Sequence, residues 1–190
     1  MAFGSVLGPD GKMLRTRAGG TVTLQSLLDE AEEVAARPIA MAAVKYADLS
    51  NQLQKDYTFD AERMTKTTGD TGPYLQYAHA RASQILRKAD AEGYPRAAVT
   101  VLAEPAEQAL ALQLTKFGEV VAALADDLQP HRLCTYLFET ATAMSTFYEQ
   151  CPVLKSVGDV RESRLALCAA TQQVLARGLY LLGIEAPERM

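Results

Sequence analysis

Thr67-Thr-Gly-Asp-Thr-Gly-Pro-Tyr-Leu-Gln-Tyr-Ala-His-Ala-Arg81 contains the turn from which the rest of the chain can be read. Gly72-Pro73 ends a loop and starts a helix, because the fixed φ and missing N–H of proline suit a first helical turn. In that helix Tyr74, Tyr77, Ala78 and Arg81 stand at i, i+3, i+4 and i+7, which puts them on one face. Two aromatic rings, a small residue and a planar cation can form a platform for unstacked bases. The rings stack, alanine permits close approach, and the guanidinium stacks or holds phosphate. The same spacing also describes an amphipathic helix that buries its tyrosines, and spacing alone leaves both readings open.

Working outward, Gly93-Tyr-Pro95 stops this helix near residue 92. Upstream, Thr23 is an N-cap for a helix over 24–37 with Leu27, Leu28, Ala31 and Val34 on one side, closed by Pro38. A second helix covers 39–49, with Ile39, Ala42, Ala43 and Tyr46 at helical spacing. Residues 50–70 are polar and irregular, with an extended piece at Tyr57-Thr-Phe59; another short strand is expected at Ser5-Val-Leu7. Downstream, Glu104-Pro105 opens one long helix carrying Leu110, Leu114, Phe117, Val121 and Leu124, which Asp126-Asp-Leu-Gln-Pro130 breaks. The next helix carries Leu133, Leu137, Met144 and Phe147 and ends at Cys151-Pro152. A last helix over 159–182 is apolar on several sides, which suits the middle of a bundle, and Gly183 is its C′ residue. The pattern predicts an all-α helical bundle without internal repeats.

Composition bounds the function. The chain has 190 residues, enough for one core, and 48% of them are hydrophobic, as in a globular protein. The net charge is −4, which argues against tight nonspecific binding to a polyanion, so any nucleic-acid contact has to come from local patches and stacking. Local basic clusters exist at Lys12, Arg15 and Arg17 and at Arg81, Arg87 and Lys88. Cys134, Cys151 and Cys168 are widely spaced, unlike a metal site or disulfide framework, and read as small core residues in a reducing compartment. With no signal peptide and no apolar run long enough for a bilayer, the expectation is a cytoplasmic protein without membrane contact.

Several segments, in order, resemble one family. GPYLQYAHAR at 72–81 resembles the first helix of the DALR-type anticodon-binding domain of arginyl-tRNA synthetases. Ala43-Val-Lys-Tyr-Ala-Asp-Leu-Ser50 and Asp56-Tyr-Thr-Phe-Asp60 resemble the family's segments just upstream. Phe138, Phe147-Tyr148-Glu149 and Cys151-Pro-Val-Leu154 resemble its later helix and turn, and Gly178 to Met190 its C-terminus. Phe3 to Arg17, followed by Gly19-Gly-Thr-Val22, looks like the segment with that enzyme's signature loop. Here Leu14 and Arg15 occupy the third and fourth places of the usual Lys-Met-Ser-Lys pattern. The stretch Ala35 to Met41 is also shorter than the family's usual connection.

The resemblance implies the helical bundle of class I synthetase anticodon-binding domains over 51–190. It implies that 1–50 are the end of a catalytic domain, with Lys12, Arg15 and Arg17 as the remnant of a loop that stabilises charge on ATP phosphates in the parent enzyme. Tyr74, Tyr77, Ala78, Arg81, Tyr148 and Met190 are the implied tRNA contacts, with Gln76 and His79 as secondary ones. The implied partner is the anticodon region of arginine tRNA rather than DNA. His79 and His131 lie outside any His-x-Gly-His motif, and no phosphate-binding Gly-rich loop is present. The chain is therefore expected to bind no cofactor or metal by itself and not to charge tRNA unaided. Two alternatives stand beside tRNA recognition. One is a fragment of a split synthetase that needs a separate catalytic subunit; the other is a helical protein-interaction module that has lost RNA binding.

Overall fold

The computed structural model describes residues 4–14, 22–95 and 98–190. Among the described residues, helices α1 (Leu24–Val34), α2 (Arg37–Leu49), α3 (Ala61–Met64), α4 (Gly72–Ala91), α5 (Pro105–Thr115), α6 (Phe117–Asp127), α7 (Pro130–Gln150) and α8 (Gly158–Leu181) account for most of the chain. The fold is an all-α bundle. Strands β1 (Val6–Leu7) and β2 (Tyr57–Thr58) add one small parallel pair, with Val6 beside Tyr57 and Leu7 beside Thr58. Each extended piece is legible in the sequence; their pairing, which brings the start of the chain against the loop after α2, is not.

Local chemistry accounts for the boundaries. Thr23 Oγ1 accepts the Ser26 N–H at 3.2 Å while Ser26 Oγ accepts the Thr23 N–H at 3.1 Å, a reciprocal cap at the start of α1. Thr71 Oγ1 accepts the Tyr74 N–H at 3.2 Å, and Pro73 sits in the first turn of α4. Gly183, at φ +67°, takes the left-handed position after α8.

Three boundaries differ from expectation. Pro38 does not close α1; it lies in the first turn of α2, where its missing N–H costs nothing, and α1 stops at Val34. The four-residue α3 was not foreseen; Asp60 caps it by accepting the Arg63 N–H at 3.0 Å. The expected long helix after Pro105 is two helices, broken at Lys116. There the Tyr136 hydroxyl donates to the Gln113 carbonyl at 3.0 Å, and the Lys116 N–H reaches the same oxygen at 3.3 Å. A side chain from α7 thus supports a carbonyl at the break in the helical ladder, a recognised origin of a sharp bend.

Packing divides into three clusters. One joins α2, α4, α7 and α8 through Tyr46, Leu75, Ala78, Leu137, Leu175 and Leu179. A second joins α4, α5, α7 and α8 through Leu86, Leu110, Met144, Phe147 and Leu165. The third, with Leu27, Ala31, Val44, Phe59 and Met64, takes residues from both sides of position 50. Helix α2 serves two clusters, turning Ala42 and Tyr46 to the first and Ala40, Ala43 and Val44 to the third. Cys134, Cys151 and Cys168 are buried within the core; burial pushes the thiols of Cys134 and Cys168 up to about 12, so neither is a nucleophile at neutral pH.

One buried ion pair ties α5 to α8. Arg164 Nε donates to Glu107 Oε1 at 2.5 Å, and Arg164 Nη1 reaches the Pro152 carbonyl at 3.0 Å and Ser156 Oγ at 2.7 Å. Burial pushes the Glu107 carboxyl up, but the Glu104 N–H and the Arg164 guanidinium outweigh it and hold the group below the ordinary carboxylate range. Its contribution to stability is therefore complete above the unfolded carboxylate pKa and is lost as pH falls through the lowered folded value. Glu107→Ala should cost about 3–5 kcal/mol in urea unfolding at neutral pH, because it strands a buried guanidinium. Repeating the melts at falling pH should show that cost shrinking in acid.

Candidate nucleic-acid interface

Helix α4 lies across the bundle with α2, α7 and α8 around it, and the sequence-expected residues divide between its faces. Tyr74 turns toward α7: its ring packs on Phe138 with centroids 5.8 Å apart, and its hydroxyl lies 3.2 Å from Ser145 Oγ. Ala78 is buried in the first core cluster. The expectation that both share an exposed face with Tyr77 and Arg81 is therefore corrected. Seven residues of helix bring Tyr74 nearly over Arg81, but α7 crosses the first turn of α4 and covers that end of the stripe.

The stripe that opens to solvent is Tyr77, Arg81, Gln84 and Arg87, at i, i+4, i+7 and i+10, with the buried Ala80 beside it. Together with Tyr148 from α7 and Glu188, Arg189 and Met190 beyond α8, it lines an open hollow of about 350 Å³. Tyr77, Tyr148 and Met190 are 37%, 45% and 50% exposed, large apolar groups left in solvent. Ala80, itself buried, is the small residue that borders the hollow in place of Ala78.

Arg81 organises the hollow. Its guanidinium carbon lies 4.6 Å from the centroid of the Tyr77 ring and 4.9 Å from that of Tyr148, and Nη2 donates to the Tyr77 hydroxyl at 2.7 Å. Among the described residues no carboxylate lies within ion-pair distance of Arg81. The rings hold the cation from two sides without neutralising it. Three arginines against one glutamate make the lining positive, on a chain of net charge −4. The arrangement offers two ring faces and fixed positive charge to an anionic, aromatic ligand.

Gln76 and His79 are buried rather than in the hollow, and both donate to the backbone of the segment after α8. Lys12 stands apart, in a tight turn where it pairs with Asp10 at 3.9 Å and is largely exposed. Arg15 and Arg17 lie outside the described residues. Lys45 and Tyr46 are structural: Lys45 Nζ donates to the Gly183 carbonyl, and the Tyr46 hydroxyl lies 2.5 Å from Asp70 Oδ1 and 3.1 Å from the Cys134 carbonyl. Burial and the Asp70 carboxylate both raise the Tyr46 phenol, keeping it protonated as a donor. Glu188, Arg189 and Gln84 escaped the sequence reading. Continuing the Tyr77–Arg81 stripe by three and six residues finds Gln84 and Arg87, whereas no local signal places Glu188 and Arg189 there. Among the described residues, no group of three or more His, Cys, Asp or Glu side chains could hold a metal ion, and no helix is long and apolar enough to cross a membrane.

Comparison with known proteins gives this geometry a context. Residues 75–190 match the model of the DALR anticodon binding domain, and residues 1–61 match that of the class I (R) tRNA synthetase catalytic domain. An arginine–tRNA ligase of Cutibacterium acnes is 65% identical over all of this chain, which covers 36% of the relative. That alignment runs over 202 residues, so the relative carries residues this 190-residue chain lacks. The ligase of Thermobifida fusca is 49% identical over 99% of the chain and 36% of the relative. Among solved structures, the arginyl-tRNA synthetase of Thermus thermophilus superposes with a TM-score of 0.88 at 36% identity, covering all of this chain and 35% of that one. The chain thus spans little more than a third of the proteins it matches.

The inward setting of Ala78 has a direct consequence. Ala78→Leu should destabilise the fold by about 1–3 kcal/mol through overpacking, seen as a lower denaturant midpoint. An unchanged midpoint would place this position at the surface instead.

Proposed function

The chain belongs to the DALR anticodon-binding domain family, and from that premise we propose that it recognises the anticodon region of arginine tRNA. Arg81, without a carboxylate partner among the described residues and flanked by two exposed tyrosine rings, is the observation that carries this reading. Bases splayed from a loop stack on Tyr77 and Tyr148, each stack contributing about 1–3 kcal/mol. Arg81, Arg87 and Arg189 meet the phosphates, and the exposed Met190 side chain supports an unstacked base by soft apolar contact. Gln84, exposed on the same stripe, brings both a donor and an acceptor to a base edge. A wrong base leaves such groups unpaired, which is where discrimination arises. The half-buried Tyr74 and the buried Ala78 act by placing the helix.

The match of residues 1–61 to the catalytic-domain model favours a second reading of the same chain, as one fragment of a split ligase completed by a separate catalytic subunit. Among the described residues, the hollow at this turn is lined by no cation besides Lys12, and this reading assigns any charging chemistry to such a partner. Arginine-dependent charging in a mixture with a catalytic fragment would support that reading, and an inert mixture would count against it.

Filter binding separates recognition from a protein-interaction role. Arginine tRNA should bind more tightly than the same tRNA with a substituted anticodon; equal or absent binding would contradict the proposal. Tyr77→Ala and Arg81→Ala should each weaken binding by about 1–3 kcal/mol, while Tyr74→Phe should leave it unchanged.

A further inference from the structure

The segment after α8 has no regular structure of its own, yet it is held along α4 by side chains. Ile184 is buried, and its N–H donates to the Leu179 carbonyl at 2.9 Å. Beyond that anchor the backbone carbonyls are taken in turn. Lys45 Nζ donates to Gly183 O, Gln76 Nε2 to Glu185 O at 2.9 Å, and His79 Nδ1 to Pro187 O at 2.9 Å. Carbonyls of residues 183, 185 and 187 follow the period of two by which an extended chain presents alternate groups to one side. Side chains of α2 and α4 therefore do the work of a neighbouring strand. Arg87 completes the row, donating to the Glu188 carbonyl at 2.8 Å and lying 3.8 Å from its carboxylate.

Two of these donors are themselves informative. Gln76 and His79 are buried polar side chains, a costly arrangement unless hydrogen-bonded. A carbonyl only accepts, so His79 carries its proton on Nδ1 in this contact. Neither residue lines the hollow, whereas Glu188, Arg189 and Met190, just beyond the tethered carbonyls, form one of its walls.

We propose that Gln76 and His79 are positioning residues which, with Arg87 at the edge of the hollow, form a side-chain ladder that holds segment 183–190 as a wall of the RNA-binding hollow. The role rests on the reading of that hollow as the anticodon site. The ladder itself is an independent claim about the chain.

Two measurements on the 190-residue chain test it. In the first, a glutamate-specific protease cuts after Glu185, with products followed by mass. Cleavage tracks the population of the released segment. It should quicken about five-fold in His79→Leu, the effect of one ordinary hydrogen bond, and return to the wild-type rate in His79→Asn, whose amide can replace Nδ1–H. In the second, binding of the anticodon stem–loop of arginine tRNA should weaken about five-fold in His79→Leu and recover in His79→Asn. In a chain lacking residues 188–190, His79→Leu should have no further effect on binding. Should His79→Leu fail to fold, Gln76→Leu repeats both measurements and Arg87→Ala, a residue that also lines the hollow, repeats the cleavage alone. Unchanged cleavage in the folded variants overturns the ladder. Faster cleavage with unchanged RNA binding, or an equal binding loss in the shortened chain, overturns the positioning role. Failure of the wild-type chain to bind the stem–loop contradicts the anticodon reading alone, because the cleavage rates still decide the ladder.

Discussion

The contact between Gly72 and α2 constrains the rest of the structure. A Cβ at Gly72 would collide with the Ala42 carbonyl, so the first turn of α4 rests directly on the α2 backbone. Tyr46 and Asp70 close the same junction with a hydrogen bond, and Thr71 caps the helix there. Set at its first turn, α4 has little freedom to rotate. Its rotation then decides which residues face Phe138, which face the segment after α8 and which face solvent. One helix of 20 residues thereby builds two core clusters, the ladder and the hollow.

Electrostatics and packing divide the work of the candidate site. The acidic balance of the chain disfavours indiscriminate binding to polyanions, while the hollow concentrates positive charge where two rings are exposed. Packing Arg81 between the rings of Tyr77 and Tyr148 restricts its rotamers before any ligand arrives, which lowers the ordering cost of binding. Tyr148 reaches the hollow from α7, and Met190 from beyond α8. The site therefore exists only when three separate parts of the chain are packed together.

Much of this was legible in the residues. Thr23, Gly183 and the proline-led helix starts announced most element boundaries, since caps and breakers act within a turn of the residues that carry them. Periodicity gave the bundle. It did not give the rotation of α4, because Tyr74 and Arg81 share an azimuth and only the crossing of α7 sets Tyr74 against Phe138 while Arg81 lines the hollow. The bend at Lys116 was hidden for the same reason: its support, Tyr136, lies 20 residues further along the chain. Of the site residues, Tyr77, Arg81, Tyr148 and Met190 meet at the hollow, whereas the inward turn of Ala78 and the tethering of the last segment by buried Gln76 and His79 depend on tertiary packing.

The most direct test is an NMR titration of the isotope-labelled chain with the unlabelled anticodon stem–loop of arginine tRNA. The account predicts the largest shift changes at Tyr77, Arg81, Gln84, Tyr148 and Met190, with little change at Lys12 or at the apolar groove of Phe117, Val174 and Tyr180. Changes centred on that groove or on the Lys12 turn, with the Tyr77–Arg81 stripe unmoved, would contradict it.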